Sequence, residues 1–269
     1  MKYKAGFLGC GNMGSALARA VAKVVGAGSV ALCDTDEAKA YALAKEIDGA
    51  ALDAVTLVKE CDTLFLAVKP QGMKDALAPL GEALSARADS LLLVTMAAGM
   101  RIADIRALSG FPGKILRIMP NTPVGVGAGT VLYALSEGVG QADEEAFRSL
   151  LSRAGMLDRL PEDKIDAAGA LTGCGPAFVY LFCEALADGA VACGIPRDKA
   201  LRYAAGTVLG AAKTVLDTGR HPAELKDAVC SPGGTTIEGV RLLEERAFRA
   251  AAFDAVIAAY EKTAKLAKQ

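Results

Sequence analysis

The chain has one histidine, no cysteines in Cys-x-x-Cys spacing, a net charge of only −1 and no uninterrupted apolar run of about 18 residues; each scarcity removes a class of function. With His221 alone, neither a Ser-His-Asp triad nor a His/Cys metal cluster is a first reading, and alcohol oxidation through a histidine base or a zinc ion is disfavoured. His221 itself precedes Pro222 in a turn-like segment and reads as a surface cap. Interspersed acidic and basic residues leave no electrostatic footprint for nucleic acid or an anionic membrane, so a small molecule is the expected partner. The seven cysteines (Cys10, Cys33, Cys61, Cys174, Cys183, Cys193 and Cys230) are odd in number, which argues against a disulfide framework and for a reducing, cytoplasmic setting. Behind Met1-Lys2-Tyr3-Lys4, Gly6, Gly9, Gly11 and Asn12 break the apolar run, unlike a secretory segment. No internal repeat and no low-complexity segment is evident.

What is present is apolar bulk. At 269 residues and 52% hydrophobic content the chain can bury a sizeable core, and two domains are expected. Up to about residue 160, short β-type runs alternate with helical patterns, the signature of βαβ units and a mostly parallel sheet. The runs at 5–8, 30–33, 63–68, 90–95 and 114–119 read as strands, and 15–25 and 37–47 as helices. Beyond Leu160-Pro161 the texture becomes Ala-rich and helical, at 177–193, 197–218 and 246–268, with no convincing strand. The domains expected are therefore residues 1–161 and 162–269. Ala177–Cys193 opens with seven residues, AFVYLFC, that offer almost no polar face. A helix apolar all round must be buried, and a helical piece this small has little interior to hide it in. Burial against a second copy of the chain is the expectation, the alternative being the central helix of a monomeric bundle.

Gly9-Cys10-Gly11-Asn12-Met13-Gly14 fits G-x-G-x-x-G, between an expected strand and an expected helix. In a dinucleotide fold the first glycine makes the tight turn, the second admits the pyrophosphate and the third lets helix and strand pack closely. Asp34 follows the second strand, 25 residues beyond Gly9, where a carboxylate bonds the adenosine ribose hydroxyls. That favours NAD over NADP, because a carboxylate repels a 2′-phosphate and neither Thr35 nor Asp36 supplies an arginine. Asp34 can also be read as a cap for the next helix. Ala67-Val68-Lys69-Pro70-Gln71 and Met96-Ala97-Ala98-Gly99 follow later strands at the edge where such folds bind ligands, and Met119-Pro120-Asn121-Thr122-Pro123 is a third such loop. Each is also readable as an ordinary strand-to-helix turn.

Ser231-Pro232-Gly233-Gly234-Thr235-Thr236-Ile237-Glu238 compresses a helix start, two permissive backbone positions and two hydroxyls into eight residues. Gly233 and Gly234 let the backbone turn closely around a ligand, Thr235 or Thr236 is expected to cap the helix, and free amides there suit a carboxylate or phosphate. A structural cap between helices is the alternative. With so little acid–base machinery, the hydride acceptor should already carry positive charge. A protonated imine develops no oxyanion when hydride adds, and one hydroxyl on its nitrogen could be sufficient.

Together these segments resemble the pyrroline-5-carboxylate reductase family over nearly the whole chain. The resemblance rests on Phe7–Gly14, Leu66–Gln71, Met119–Pro123, Thr172–Ala177 with Glu184–Asp188, and Leu225-Lys226-Asp227 leading into Ser231–Ile237. The last segment is highly specific. The resemblance implies an α/β chain, with an N-terminal Rossmann-type parallel sheet domain followed by an all-helical C-terminal domain that interleaves with a partner, the dimers often assembling into decamers. It also implies reduction of 1-pyrroline-5-carboxylate to L-proline by NAD(P)H, at an active site between the domains. Carried over, Gly233, Gly234, Thr235 and Thr236 would hold the substrate carboxylate, with Thr236 the catalytic hydroxyl nearest the ring nitrogen. Glu162 matches a position near the amine, though Pro161-Glu162-Asp163 equally reads as a helix start. The residues Gly9, Cys10, Gly11, Asn12, Met13, Gly14, Asp34, Ala67, Val68, Lys69, Pro70, Ala97, Ala98 and Gly99 would bind the cofactor; no metal is implied.

The chain departs from the family in places. NADPH-using members often carry serine, or asparagine followed by arginine, at Asp34-Thr35. The usual Ser-Gly-Ser-Gly-Pro is Thr172-Gly173-Cys174-Gly175-Pro176, and two family asparagines are Ala54 and Ala228. Two rivals follow. A β-hydroxyacid dehydrogenase would need a lysine where Pro176-Ala177-Phe178-Val179 stands. A non-catalytic dinucleotide-sensing scaffold would make Ala54, Ala228 and Cys174 signs of decay, against an intact Ser231–Ile237 loop.

Overall fold

The computed structural model describes residues 2–266 and shows a sheet built from the short apolar runs of the first 160 residues. Its strands are β1 (Tyr3–Leu8), β2 (Val30–Cys33), β3 (Ala50–Ala51), β4 (Cys61–Leu66), β5 (Leu92–Thr95), β6 (Lys114–Pro120), β7 (Gly129–Leu135) and β8 (Gly155–Arg159). They lie in the order β3-β2-β1-β4-β5-β6-β7-β8, with β6 and β7 antiparallel and the other pairs parallel. The first six keep the doubly wound order in which ligands bind beyond the strand carboxyl ends, at the point where the order reverses between β1 and β4. Five strands match the sequence expectations within a few residues; β3, β7 and β8 are additional.

Both faces of the sheet are covered, which is why its strands read as continuous apolar runs. On one face Leu17 and Val21 of the Asn12–Val25 helix and Phe147 of the Gln141–Leu150 helix pack against Phe7, Phe65 and Tyr133. Phe7 and Phe65 stack on adjacent strands with centroids 4.6 Å apart. Leu57, Met73, Leu77 and Ile105 cover the other face. Each such side chain contributes about 1.5–3 kcal/mol of burial.

Among the described residues, contacts divide the chain into two units, one running to Cys174 and including residues 259–266, the other Gly175–Ala258. The first unit extends past Pro161 because the Glu162–Thr172 helix lies on β6 and β7: a Cβ on Gly169 would stand 3.0 Å from Met119 Cγ. Asn121 adds a second tie, donating through Nδ2 to Thr172 O at 2.9 Å while its Oδ1 accepts from Thr130 N.

The second unit consists of helices joined by short turns, with no strand among its described residues, as expected after Pro161. The Gly175–Ala192 and Arg197–Thr218 helices pair through small residues, and the buried apolar cluster there consists of Ala187, Ala200 and Ala204. The large side chains face outward instead: Tyr180 is 62% exposed, Leu216 74% and Phe253 68%. Residues 162–192 are, by length and composition, apolar enough to cross a membrane, although Glu184 and Asp188 lie within them and Asp188 pairs with Arg197. The end of the expected 246–268 helix, residues 267 and 268, lies outside the described residues; the helix runs Phe248–Leu266.

A unit whose own interior is three alanines cannot offset the entropy of ordering about 80 residues. Its unfolding should therefore depend on protein concentration. Over about a hundredfold dilution, the midpoint of the helix-rich thermal transition is expected to fall by several degrees, as mass action requires for an associated state. A concentration-independent midpoint would show the unit to be stable alone.

Candidate active site

The first βα turn shows the division of labour expected of its glycines. Gly9 adopts φ +107°, and a Cβ there would lie 2.6 Å from Ala67 O. Gly14 is equally constrained, since its Cβ would stand 2.3 Å from Gly9 O and 2.9 Å from Ala67 Cβ. Gly11 is different: a Cβ would meet nothing within 4 Å. It is also the N-cap of the Asn12–Val25 helix, with no side-chain cap, so the helix's first amides face open space. That concavity fits a pyrophosphate, which needs exposed N–H groups and close backbone approach.

Asp34 closes the turn from the β2 side. Its Oδ2 accepts from Cys10 N at 2.6 Å and its Oδ1 from Asp36 N at 2.9 Å. The Glu37–Glu46 helix is capped at Asp36 and not at Asp34, which instead accepts from the amide of that cap residue and from the glycine turn. Each oxygen retains acceptor capacity for a hydroxyl. The Cys10 thiol is pushed up to about 12 by burial, by the Asp34 carboxylate and by Cys33, so it remains an uncharged thiol in the turn.

Ala67–Pro70 follows β4 and Ala97–Gly99 follows β5, so the expected cofactor residues gather at the carboxyl ends of four neighbouring strands. Pro70 takes the first position of the Pro70–Leu77 helix, where a missing N–H costs nothing, with Lys69 as its cap residue. Gly99 turns the chain at φ +75° ahead of the Ile102–Ser109 helix.

Glu162 is both a helix start and more. It is the first residue of the Glu162–Thr172 helix, and its Oε1 accepts from Ile102 N at 2.6 Å, satisfying an orphan amide of another helix. Beneath it lies Arg117, 1% exposed on β6, which donates through Nη2 to Asp166 and holds Nη1 3.8 Å from Glu162 Oε1. The sequence reading missed Arg117. The signal was available, since a lone charge inside the run ILRIM must be buried and therefore partnered.

In the second unit, the Ser231–Glu238 loop departs from expectation in one respect. Neither Thr235 nor Thr236 caps the helix; they are its first two residues, and Gly234 is the N-cap with no side-chain cap. Gly234 N donates to Ser231 O at 3.0 Å and so closes the turn before the helix, and a Cβ on Gly234 would require the Ser231 hydroxyl, 2.3 Å away, to rotate. Gly233 completes the turn at φ +65°. The helix thus starts with no side-chain cap, and helix-start amides of this kind favour an anion. His221 is the N-cap of the Pro222–Val229 helix, its Nδ1 accepting from Ala223 N at 3.2 Å, which agrees with the surface-cap reading. Among the described residues no group of three His, Cys, Asp or Glu side chains could hold a metal ion.

Comparison with known proteins bears directly on this pair of features. Residues 162–266 match the family described as pyrroline-5-carboxylate reductase dimerisation, and residues 4–99 the one described as NADP oxidoreductase coenzyme F420-dependent. The chain is 40% identical to the pyrroline-5-carboxylate reductase of Escherichia coli over 271 aligned positions, covering 100% of both. It belongs to the pyrroline-5-carboxylate reductase family. Among solved structures, the pyrroline-5-carboxylate reductase of Coxiella burnetii superposes with a TM-score of 0.88 at 28% identity, covering 99% of each chain. The Plasmodium falciparum pyrroline carboxylate reductase, solved with NADP bound, gives 0.86 at 31% identity over 98% of each. A pyrroline-5-carboxylate reductase fold thus carries the Rossmann-type sheet and the helical region expected from the sequence.

The contrast between Gly11 and Gly14 is directly testable. Gly14→Ala is expected to destabilise the α/β unit by about 1–3 kcal/mol through overpacking. Gly11→Ala should leave the unfolding midpoint unchanged yet weaken dinucleotide binding, measured by fluorescence titration. Equal losses of stability in both variants would remove the assigned division.

Proposed function

We propose that this protein reduces the imine of 1-pyrroline-5-carboxylate to L-proline with NADH or NADPH, the last step of proline biosynthesis. The full-length likeness to the E. coli enzyme carries this reading, and the geometry of both loops supports it. The bound reduced nicotinamide supplies the hydride. Gly9–Gly14, Asp34, Ala67–Pro70 and Ala97–Gly99 hold the dinucleotide. Backbone amides and hydroxyls of Gly233–Thr236 hold the substrate carboxylate, and the Thr236 hydroxyl bonds the ring nitrogen. Glu162 offers a carboxylate to the same nitrogen's positive charge. The electron pair of the C=N bond passes to nitrogen as hydride adds, so a protonated imine ends as a neutral amine and needs no dedicated base. That is consistent with a chain whose single histidine is spent on a helix cap.

Residues 1–161 act in this proposal as the dinucleotide-binding domain and 162–269 as the substrate-binding and dimerisation domain. The working form is a homodimer, with dimers assembling further into decamers, in the cytoplasm. The outward-facing Tyr180, Leu216 and Phe253 support self-association. Neither rival reading is favoured by an observation of its own.

For the cofactor we infer a preference for NADH. Asp34 is tied to the glycine turn, and Glu37 and Asp53 line the crevice beside it, so a 2′-phosphate would meet like charge. The specificity constant for NADH is expected to exceed that for NADPH by about tenfold or more, and Asp34→Ser to narrow the ratio. A strong NADPH preference would mean that Asp34 serves only the backbone. The substrate loop has its own test: Thr236→Ala should lower turnover by roughly 10-fold to 1,000-fold with dinucleotide affinity intact. Unchanged steady-state kinetics would remove Thr236 from the mechanism.

A further inference from the structure

Arg117 is the largest fully buried side chain in the α/β unit, and it carries a charge. Its guanidinium is almost wholly out of water, yet one nitrogen, Nη2, is bonded, to Asp166, while Nε and Nη1 are buried without a partner among the described residues. A charge so placed persists only when surrounding charges compensate for lost solvation. Those charges are Asp166 and Glu162, four residues apart on one face of the Glu162–Thr172 helix, where like charges repel. Arg117 reaches both, Asp166 by a direct bond and Glu162 Oε1 across 3.8 Å. One guanidinium against two carboxylates leaves the cluster with a net charge of −1, which is the half-buried Glu162 carboxylate.

Glu162 is held from a third side. Its Oε1 takes the amide of Ile102, the first residue of the helix that follows the Ala97–Gly99 loop. No donor reaches Oε2 among the described residues, so one oxygen anchors the side chain and the other is open. Without Arg117 the repulsion from Asp166 would be unopposed, and Glu162 would turn toward water and release Ile102 N.

We propose that Arg117 is a positioning residue for the cationic end of the substrate: by neutralising Asp166 and attracting Glu162, it keeps the Glu162 carboxylate aimed at an iminium or ammonium nitrogen. The inference rests on the reading of Glu162 as a substrate residue.

A double-mutant cycle tests it, with kcat/KM for 1-pyrroline-5-carboxylate, NADH affinity and thermal unfolding measured on each variant. Glu162→Gln and Arg117→Lys should each lower kcat/KM by about 10–100-fold, and the double variant should be no worse than about threefold below the weaker single, because both act through one carboxylate. NADH affinity should stay within about threefold of the parent. Should Arg117→Lys fail to fold, adding Asp166→Asn removes the repelling charge, and the Arg117→Lys/Asp166→Asn pair is expected to keep kcat/KM within about threefold of Asp166→Asn alone, whereas a further loss of about 10-fold or more would overturn the inference. Losses that multiply in the cycle would overturn the inference while leaving Glu162 in place, since a merely structural arginine lowers stability and rate independently of Glu162. Full activity in Glu162→Gln, alongside a slow Thr236→Ala, would overturn both the Glu162 reading and this inference but not the reaction.

Discussion

Backbone crowding at the first turn is the constraint on which the rest of the α/β unit depends. Gly9 and Gly14 let β1, the Asn12–Val25 helix and the end of β4 approach to distances at which a Cβ would collide with carbonyl oxygen. That approach brings the turn against Ala67 and lets Asp34 reach the Cys10 amide from β2. The same crowding leaves the helix start open at Gly11, where a Cβ would meet nothing within 4 Å. Fold and site are one construction here: the residues that permit the packing also define what the concavity can admit.

The helical unit follows an opposite logic. Its helices carry large apolar side chains outward and alanine inward, so its stability must come from surfaces beyond its own small interior. The family match to a dimerisation region gives that outward face a purpose. The Gly233-Gly234 turn at the head of the Thr235–Glu245 helix is spared that apolar character; Gly233 turns at φ +65°, a conformation that favours glycine, and Gly234 N closes the turn on Ser231 O.

Much of this was legible in the sequence, for identifiable reasons. Central parallel strands announce themselves as apolar runs, and the spacing of Gly9 and Gly14 is dictated by hard contacts, so β1, β2, β4, β5 and β6 and the packing roles of those two glycines could be read directly. What escaped was structure that breaks the βαβ rhythm. β3 is two alanines; β7 returns antiparallel after the Thr122–Val126 turn; β8 begins at Gly155, where φ is +127° and a Cβ would lie 2.2 Å from Gly129 O. The helix cap was misassigned because threonine propensity pointed to Thr235 or Thr236, whereas the turn closed by Gly234 N on Ser231 O starts the helix one residue earlier. Arg117 escaped because a strand pattern counts apolar positions and passes over the one charge among them. The Glu162–Thr172 helix, placed after the boundary by texture, lies with the sheet because Arg117, Met119 and Asn121 fasten it there.

The central claim is that hydride passes to the carbon of a cyclic imine. Its most direct test uses NADH carrying deuterium in place of the transferable hydrogen at C4, incubated with the purified protein and 1-pyrroline-5-carboxylate, with the product examined by mass spectrometry and NMR. The expected result is L-proline carrying a single deuteron on the ring carbon that was doubly bonded to nitrogen. Proline without the label, or no proline while the dinucleotide still binds, would contradict the account.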